Sequence, residues 1–221
     1  MVDLHDTLQP QGMVEIFITK GKPHLRLGSP LYTKKYEKLS NLVTSCDIDF
    51  SGCQLIDQFQ IKNIILNQGK DRVIETLTTG YFNSIAHMAI GDRGTLPSDQ
   101  TVPKTPNSTL TALYNEVYRD DIQATILNVG TPDTHSVKFI KIFSALDVPI
   151  TAFSNQANPI INEVGLVTID PDATPLPRVP IYPPSVPDED EQIFSIRTFK
   201  SVPFQAENEI AITIRYTIYI N

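Results

Sequence analysis

The sequence contains no tryptophan, only two cysteines and fewer basic than acidic side chains across its 221 residues. Lys and Arg number 18 against 25 Asp and Glu, so the formal net charge is -7. Proteins that hold nucleic acid through its phosphates need clustered Lys and Arg. The charge balance therefore predicts that nucleic acid is not a partner.

The two cysteines, Cys46 and Cys53, are near enough in sequence to face each other across a turn. Thiols of a protein made in a reducing compartment usually stay reduced and pack as small apolar groups, so we expect free thiols. A zinc site needs more ligands than these two, and the histidines show no paired spacing. The histidines are His5, His24, His87 and His135. We therefore predict no metal site and no cofactor.

Long apolar runs are also lacking. A helix that crosses a bilayer needs about 20 consecutive apolar residues, and no run approaches this length. The segment from Met1 to Asp6 lacks the basic start and apolar core of a signal peptide. We expect synthesis in a cytoplasm and no membrane insertion.

What the chain does have is a succession of β-rich runs separated by Gly, Pro, Asn and Asp. These runs predict strands at 14–19, 85–90, 122–127, 136–143, 160–169, 194–199 and 209–220. The runs 61–67 and 73–78, with Gly69 between them, predict an additional hairpin. Strands at this spacing predict an all-β fold, an antiparallel β-sandwich of two sheets.

One short helix and two long loops interrupt the predicted strands. Leu110, Leu113, Tyr114 and Val117 recur at helical spacing, and Ser108 is a suitable N-cap. The segment 96–108 is polar and predicts a surface loop. Seven prolines and an acidic run mark 170–191 as an extended, exposed segment, because proline fits neither a helix nor a central strand. It lies on its own sheet, or across a neighbouring subunit, or is disordered.

Catalytic constellations are scarce. Carboxylates are available, but their sequence neighbours give no reason for a raised pKa or a shared cleft; they are Asp49, Asp57, Asp92, Asp99, Asp120, Asp121 and Glu163. Asp120 and Asp121 are expected to begin a strand on its solvent side, and His87 to pack within a strand. We therefore predict no catalytic residue and no enzymatic activity.

The order of five segments resembles tailed-bacteriophage virion proteins of the tail-fibre, baseplate and collar type. The segments are IAHMAI at 85–90, GDRGT at 91–95, LYNEVYR at 113–119, INEVGL at 161–166 and the alternating strand at 209–220. The resemblance covers residues 81–221 and implies a β-sandwich domain there. Glu163, Glu116 and Arg119 belong to these segments, and we expect an acidic and a basic member to pair structurally at a sandwich end, because buried charges need partners.

The resemblance implies a non-enzymatic structural subunit of a virion, made in the host cytoplasm and assembling as a homo-oligomer with other virion proteins. Residues 1–80 would then be a docking segment or small β domain. A capsid decoration protein or head fibre is an alternative. A host-glycan-binding module is another, with its tyrosines as stacking platforms, although the lack of tryptophan lowers this possibility. The tyrosines concerned are Tyr32, Tyr36, Tyr81, Tyr114, Tyr118 and Tyr182.

Overall fold

Strands dominate the structure, as the β-rich sequence predicts. The computed structural model describes residues 11–30, 41–79, 84–128, 135–169 and 191–220. Within these ranges the chain forms fourteen strands, one α-helix and two 3₁₀ turns. The predicted all-β class with one short helix is therefore confirmed, and the two-sheet sandwich stays a prediction.

The chain divides into two compact units, each assembled from separate stretches of sequence. Unit 1 comprises residues 1–63, 122–144 and 208–221, and unit 2 comprises residues 64–121 and 145–207. Both units contain segments from each side of residue 80. Neither unit therefore coincides with the predicted parts 1–80 and 81–221, and whether residues 1–80 fold alone stays a prediction.

Unit 1 contains a sheet with the strand order β3-β10-β11-β14-β1-β5. All neighbours are antiparallel except β3 and β10, which are parallel. A separate antiparallel pair is formed by β2 and β4. The strands are β1 (Gln11–Lys20), β2 (His24–Leu27), β3 (Leu42–Val43), β4 (Cys46–Asp49), β5 (Gln54–Ile65, of which 54–63 belong here), β10 (Ala124–Asn128), β11 (His135–Ser144) and β14 (Ile210–Ile220).

The core of unit 1 follows from the alternation of apolar residues along β1. Val14, Ile16 and Ile18 point to one face of the sheet and are buried, because successive side chains of a strand point to opposite faces. Ile16 lies opposite Ile214 in the central strand β14. Burying side chains of this size stabilises a fold by about 1.5–3 kcal/mol each, so this face accounts for much of the stability of unit 1.

Unit 2 contains an antiparallel sheet with the order β13-β12-β6-β9, and Ile64 and Ile65 at the end of β5 pair with β13. The hairpin of β7 and β8 lies against β13. The elements are α1 (Asn67–Thr79), β6 (Ser84–Gly91), β7 (Thr95–Leu96), β8 (Asp99–Pro103), β9 (Glu116–Asp121), β12 (Ile160–Ile169) and β13 (Glu191–Pro203), with a 3₁₀ turn at Ile150–Ala152. A second 3₁₀ turn, Ala206–Asn208, precedes β14.

The predicted hairpin at 61–78 is wrong, because its second run is the helix α1. The backbone N–H of Lys70 donates to the carbonyl of Leu66, which starts helical bonding where the sequence predicted a turn. Gly69 lies in this first turn because of its small size: a Cβ there would stand 2.3 Å from the carbonyl oxygen of Phe194. The glycine therefore allows the helix to approach β13 closely.

The predicted helix at 110–117 is also wrong. Residues up to Asn115 form bends and a turn, and β9 begins at Glu116. Leu113 is buried in the core of unit 2, and the backbone N–H groups of Tyr114 and Asn115 donate to a distant carboxylate instead of to helical carbonyls. Long-range hydrogen bonds have therefore overridden a local periodicity.

The other predicted strands are confirmed within a few residues of their predicted ends. The predicted loop at 96–108 contains the hairpin strand Asp99–Pro103, so it is only partly a loop, although most of it is exposed. The proline-rich segment at 170–190 lies outside the described residues.

Candidate functional site

The turn that follows β6 is the centre of a buried polar network in unit 2. It runs from Gly91 to Thr95, and a Cβ on Gly91 would stand 2.4 Å from both the carbonyl oxygen of Asn115 and Oε1 of Glu163. A Cβ on Gly94 would stand 2.4 Å from the carbonyl oxygen of Asn162. The two glycines therefore allow this turn to lie directly on β12.

Glu163, on β12, is fully buried and accepts three backbone hydrogen bonds. The N–H groups of Tyr114 and Asn115 each donate to its carboxylate over 2.8 Å, and that of Arg93 donates over 3.2 Å. Buried charged groups need such partners. One side chain thus fixes the turn after β6 and the end of the connection before β9.

Asn162 precedes Glu163 and is also fully buried. Its Oδ1 accepts from the N–H of Gly94 over 2.6 Å. Its Nδ2 lies within hydrogen-bonding distance of the carbonyl oxygen of Asp92, Oγ1 of Thr95 and Oγ of Ser201, at 2.9–3.2 Å. The amide therefore ties the same turn to β12 and β13.

Asp92 connects this turn to a third segment. Its Oδ1 accepts from Nδ2 of Asn115 over 2.7 Å, and its Oδ2 accepts from the N–H of Ser154 over 2.6 Å. The hydroxyl of Ser154 donates to Oδ1 over 3.1 Å. We call Asp92, Asn115, Asn162 and Glu163 the polar anchor, since together they hold the turn 91–95, residues 114–115 and Ser154.

Burial raises the pKa of the Glu163 carboxyl above its ordinary value. The three backbone hydrogen bonds oppose this shift, and the negative charge of Asp92 adds to it. Burial and the charge of Glu163 likewise raise the pKa of Tyr114. Because backbone and side-chain donors engage both carboxylates, the arrangement is that of a structural anchor for loops and not of a free acid–base pair.

Large apolar side chains are exposed close in sequence to the residues that the polar anchor holds. Leu146 and Ile150 are 68% and 54% exposed, although Val148 and Phe153 in the same segment are buried. Leu96, which directly follows the anchored turn, is 41% exposed. Phe153 packs against Phe204 with ring centroids 6.0 Å apart. Exposed apolar side chains therefore lie on both sides of the polar anchor in the sequence, at Leu96 after the turn and at Leu146 and Ile150 before Ser154.

The predicted ion pairing of acidic and basic residues is present at Glu116 but not at Glu163. Glu116 and Arg119 form an ion pair within β9. The carboxylate of Glu163 is satisfied by backbone N–H groups, and Asp92 is the charged neighbour that affects its pKa. Of the seven candidate carboxylates, the fold therefore brings Asp92 and Glu163 close to each other.

Three other candidate carboxylates, Asp49, Asp57 and Asp99, accept hydrogen bonds outside the polar anchor. Asp49 accepts from the N–H of Ser51 and from Arg26, and these bonds lower its pKa to about 2. Hydrogen bonds from Thr101 lower the pKa of Asp99. Asp57 accepts from the N–H of the residue that follows it.

Asp120 and Asp121 end β9, so the prediction that they begin a strand is wrong. His87 is buried within β6, as predicted, and its Nδ1 lies 3.1 Å from Oδ1 of Asp121. The two residues lie close because they occupy directly opposite positions on the neighbouring antiparallel strands β6 and β9.

Of the six tyrosines proposed as glycan platforms, Tyr114 and Tyr118 lie in the described part of the chain, and both are half-buried. The ammonium of Lys104 lies 4.3 Å from the centroid of the Tyr114 ring. A cation already covers one face of that ring. The remaining four tyrosines lie outside the described residues.

Sequence reasoning missed Asn162 and Asn115, and it treated Asp92 as part of an ordinary turn. A weak signal existed, because Asn162 and Glu163 interrupt an otherwise apolar strand at adjacent positions. Adjacent residues of a regular strand point to opposite faces, but the pairing of β12 with β13 shifts register at Asn162, and both side chains bond to the turn 91–95. Their partners are 39 or more residues distant in the sequence and leave no local pattern.

Among the residues that the structure describes, no helix has the length and apolar composition required to cross a membrane. The same residues contain no group of three or more His, Cys, Asp or Glu side chains placed to hold a metal ion. No protein-family model, no curated protein and no solved structure matches this chain.

Proposed function

We propose that this chain is a non-enzymatic structural subunit of a tailed-phage virion, acting in assembly as a tail, collar, baseplate or fibre-base protein. Its work is done by surfaces that bind other virion proteins. The order of sequence segments that resembles such proteins is the reason for the placement in a virion. A two-sheet sandwich for residues 81–221 is part of the same proposal.

The polar anchor is the observation that carries the proposal. It fixes the turn 91–95, residues 114–115 and Ser154 with eight hydrogen bonds. A segment that is already ordered loses less conformational entropy when a partner binds. Leu146 and Ile150 are exposed on the segment that buried Val148 and Phe153 and the bonded Ser154 hold, and such side chains suit a permanent protein interface.

The buried carboxylates favour this role over catalysis. A general acid or base must lie within hydrogen-bond reach of a substrate proton. Glu163 is fully buried and Asp92 is buried, and the carboxylate of each accepts hydrogen bonds from the protein itself. The hydrogen bonds of the network therefore hold backbone segments in place.

Copurification with particles tests the proposal. Virions produced from the genome that encodes this chain are banded on a density gradient, and each fraction is analysed by quantitative mass spectrometry. We expect the chain to band with known capsid proteins at a constant ratio after repeated banding and a high-salt wash. A chain found only in the soluble lysate would contradict the proposal.

A further inference from the structure

The last strand of the chain, β14, lies between β1 and β11 in unit 1. It pairs with β1 along ten positions and with β11 along ten positions. Ile212, Ile214 and Tyr216 on one of its faces are completely buried. Because β1 and β11 do not pair with each other, each would have an open edge without β14. The space between β1 and β11 therefore holds one strand, and we call it the β14 groove.

The β14 groove specifies the register of the strand that fills it. Arg215 points to the face opposite to that of Ile214 and Tyr216, because side chains alternate along a strand. Its Nη1 lies 3.2 Å from Oε2 of Glu15, the directly opposite residue of β1. Its guanidinium lies 5.6 Å from the centroid of the Phe17 ring. A slip by one residue would move Arg215 to the buried apolar face, so the groove selects this sequence in this register.

The chain enters β14 from unit 2 and not from the rest of unit 1. Unit 2 supplies residues 145–207, and the chain returns to unit 1 at Asn208. Phe204 is buried, and its backbone N–H donates to the carbonyl of Pro159 over 2.9 Å, which fixes the chain within unit 2 up to that point. Residues 205–209, which we call the hinge, are exposed or half-buried. The hinge is therefore the segment that changes conformation if β14 leaves the groove of its own chain.

The hinge ends in a backbone conformation that opposes closure. Glu209 has a φ of 52°, and among the residues that the structure describes it is the one non-glycine residue with a positive φ. Side chains of L-residues rarely adopt this region, and it is strained. The N–H of Gly21 donates to the carbonyl of Glu209 over 2.9 Å and holds it there. Short connections under strain favour exchange of the element that they connect, because opening relieves the strain.

We infer that β14 is exchanged between copies of this chain, so that in the homo-oligomer the β14 of one copy occupies the β14 groove of another. All pairings of β14 with β1 and β11 are retained, and Glu209 no longer has to adopt the left-handed conformation. Reciprocal exchange fills both grooves, so its product is a closed dimer. The inference rests on the proposed function only in assuming that the chain assembles with copies of itself.

Two full-length variants that each carry one new cysteine test the exchange. Met13 of β1 and Thr217 of β14 lie directly opposite each other. The Cβ atoms of such positions are about 4.5–5.5 Å apart, close enough for a disulfide after small adjustments. Met13→Cys, labelled with heavy nitrogen, and unlabelled Thr217→Cys are unfolded together, refolded together at micromolar concentration and oxidised. A single chain that carries both substitutions, refolded at high dilution, is the matched control.

Peptide mass spectrometry is the measurement. We expect a disulfide that joins position 13 of the labelled chain to position 217 of the unlabelled chain, in a species of twice the chain mass. Closed copies cannot form this bond, because each chain then has a cysteine at only one of the two positions. The control should form the bond within one chain. A control that forms the bond while the mixture does not would overturn the inference.

Substitutions at the hinge give a second, independent measurement. Proline locks φ at about −65°, so Glu209→Pro excludes the closed connection, whereas glycine adopts a positive φ without strain. We expect sedimentation velocity to show that Glu209→Pro is dimeric. We expect the dimer of Glu209→Gly to have a dissociation constant roughly tenfold higher than that of the wild type. Circular dichroism verifies that both variants fold.

A folded but monomeric Glu209→Pro, or equal dimer dissociation constants for the two hinge variants, would also overturn the inference. The cysteine experiment decides if Glu209→Pro does not fold, and the hinge variants decide if the control forms no disulfide. Neither experiment uses particles. Failure here is therefore distinguishable from failure of the virion proposal, which the gradient experiment detects.

Discussion

Oε1 of Glu163 accepts a hydrogen bond over 2.8 Å from the backbone N–H of Asn115, which is 48 residues away in the sequence. The residue before it, Tyr114, donates to Oε2 of the same carboxylate. Together these bonds determine where the chain stops bending and enters β9. Glu163 therefore helps to determine the conformation of residues 114–115, which are distant from it in the sequence.

Glu163→Gln is expected to destabilise the protein. The NH₂ group of the new side chain would face a backbone N–H that now donates to the carboxylate, leaving a buried donor unsatisfied. This costs about 1–3 kcal/mol of the free energy of unfolding. Urea denaturation measures the change, and Glu207→Gln is the control, since Glu207 is exposed and should change stability by less than about 0.5 kcal/mol. Equal stabilities of the two variants would contradict the role of Glu163.

The stability difference between wild type and Glu163→Gln should depend on pH. Burial raises the pKa of Glu163 in the folded state, so the folded protein binds this proton more tightly than the unfolded chain. The corresponding stability is fully present below the unfolded pKa and is lost as the pH rises through the folded pKa. We expect the difference in the free energy of unfolding to narrow as the pH rises above the unfolded pKa of a glutamate, about 4.3. A difference that widens with rising pH would mean that the hydrogen bonds outweigh burial.

Asn162→Ala should also destabilise unit 2, because it leaves the N–H of Gly94 and the carbonyl of Asp92 without this partner. The cost is about 1–3 kcal/mol for an unsatisfied buried group. Hydrogen exchange should show faster exchange of the Gly94 amide than in the wild type. Gln156→Ala, at an exposed position nearby, is the control. Unchanged exchange at Gly94 would contradict the proposed anchoring.

The two cysteines are free, and Cys46 is buried whereas Cys53 is partly exposed. Burial raises the pKa of both thiols, and the thiolate is the reactive form. We expect iodoacetamide to label Cys53 faster than Cys46 in the native protein, and both cysteines after denaturation without reductant. Intact-mass and peptide mass spectrometry measure this. Absence of labelling in the denatured, unreduced chain would indicate a disulfide.

Sequence patterns predicted the strands that bury one face. In β1 and β14 apolar residues alternate at the period of a strand, and local sequence is sufficient to place them. The region 67–79 was misassigned because Val73, Ile74 and Thr76 favour strands, while the helix depends on the approach of Gly69 to β13. Tertiary contacts decided the outcome there.

The polar anchor was harder to predict than the strands. Glu163 was identified as a buried structural residue through the order of segments, but a cationic partner was expected for it. Its actual partners are backbone N–H groups, which every sequence position except proline supplies. Contacts between distant parts of the chain determine which N–H groups donate to Glu163. The spacing of residues in the sequence does not predict these contacts.

Immunogold electron microscopy tests the central claim most directly. Antibody raised against the recombinant chain is applied to particles from a lysate of cells that produce virions from the genome encoding this chain. Pre-immune serum is the control. The account predicts label at the neck or tail; label spread over the head would instead indicate a decoration protein or head fibre. Particles without label, from a lysate in which the chain is detected by immunoblot, would contradict the account.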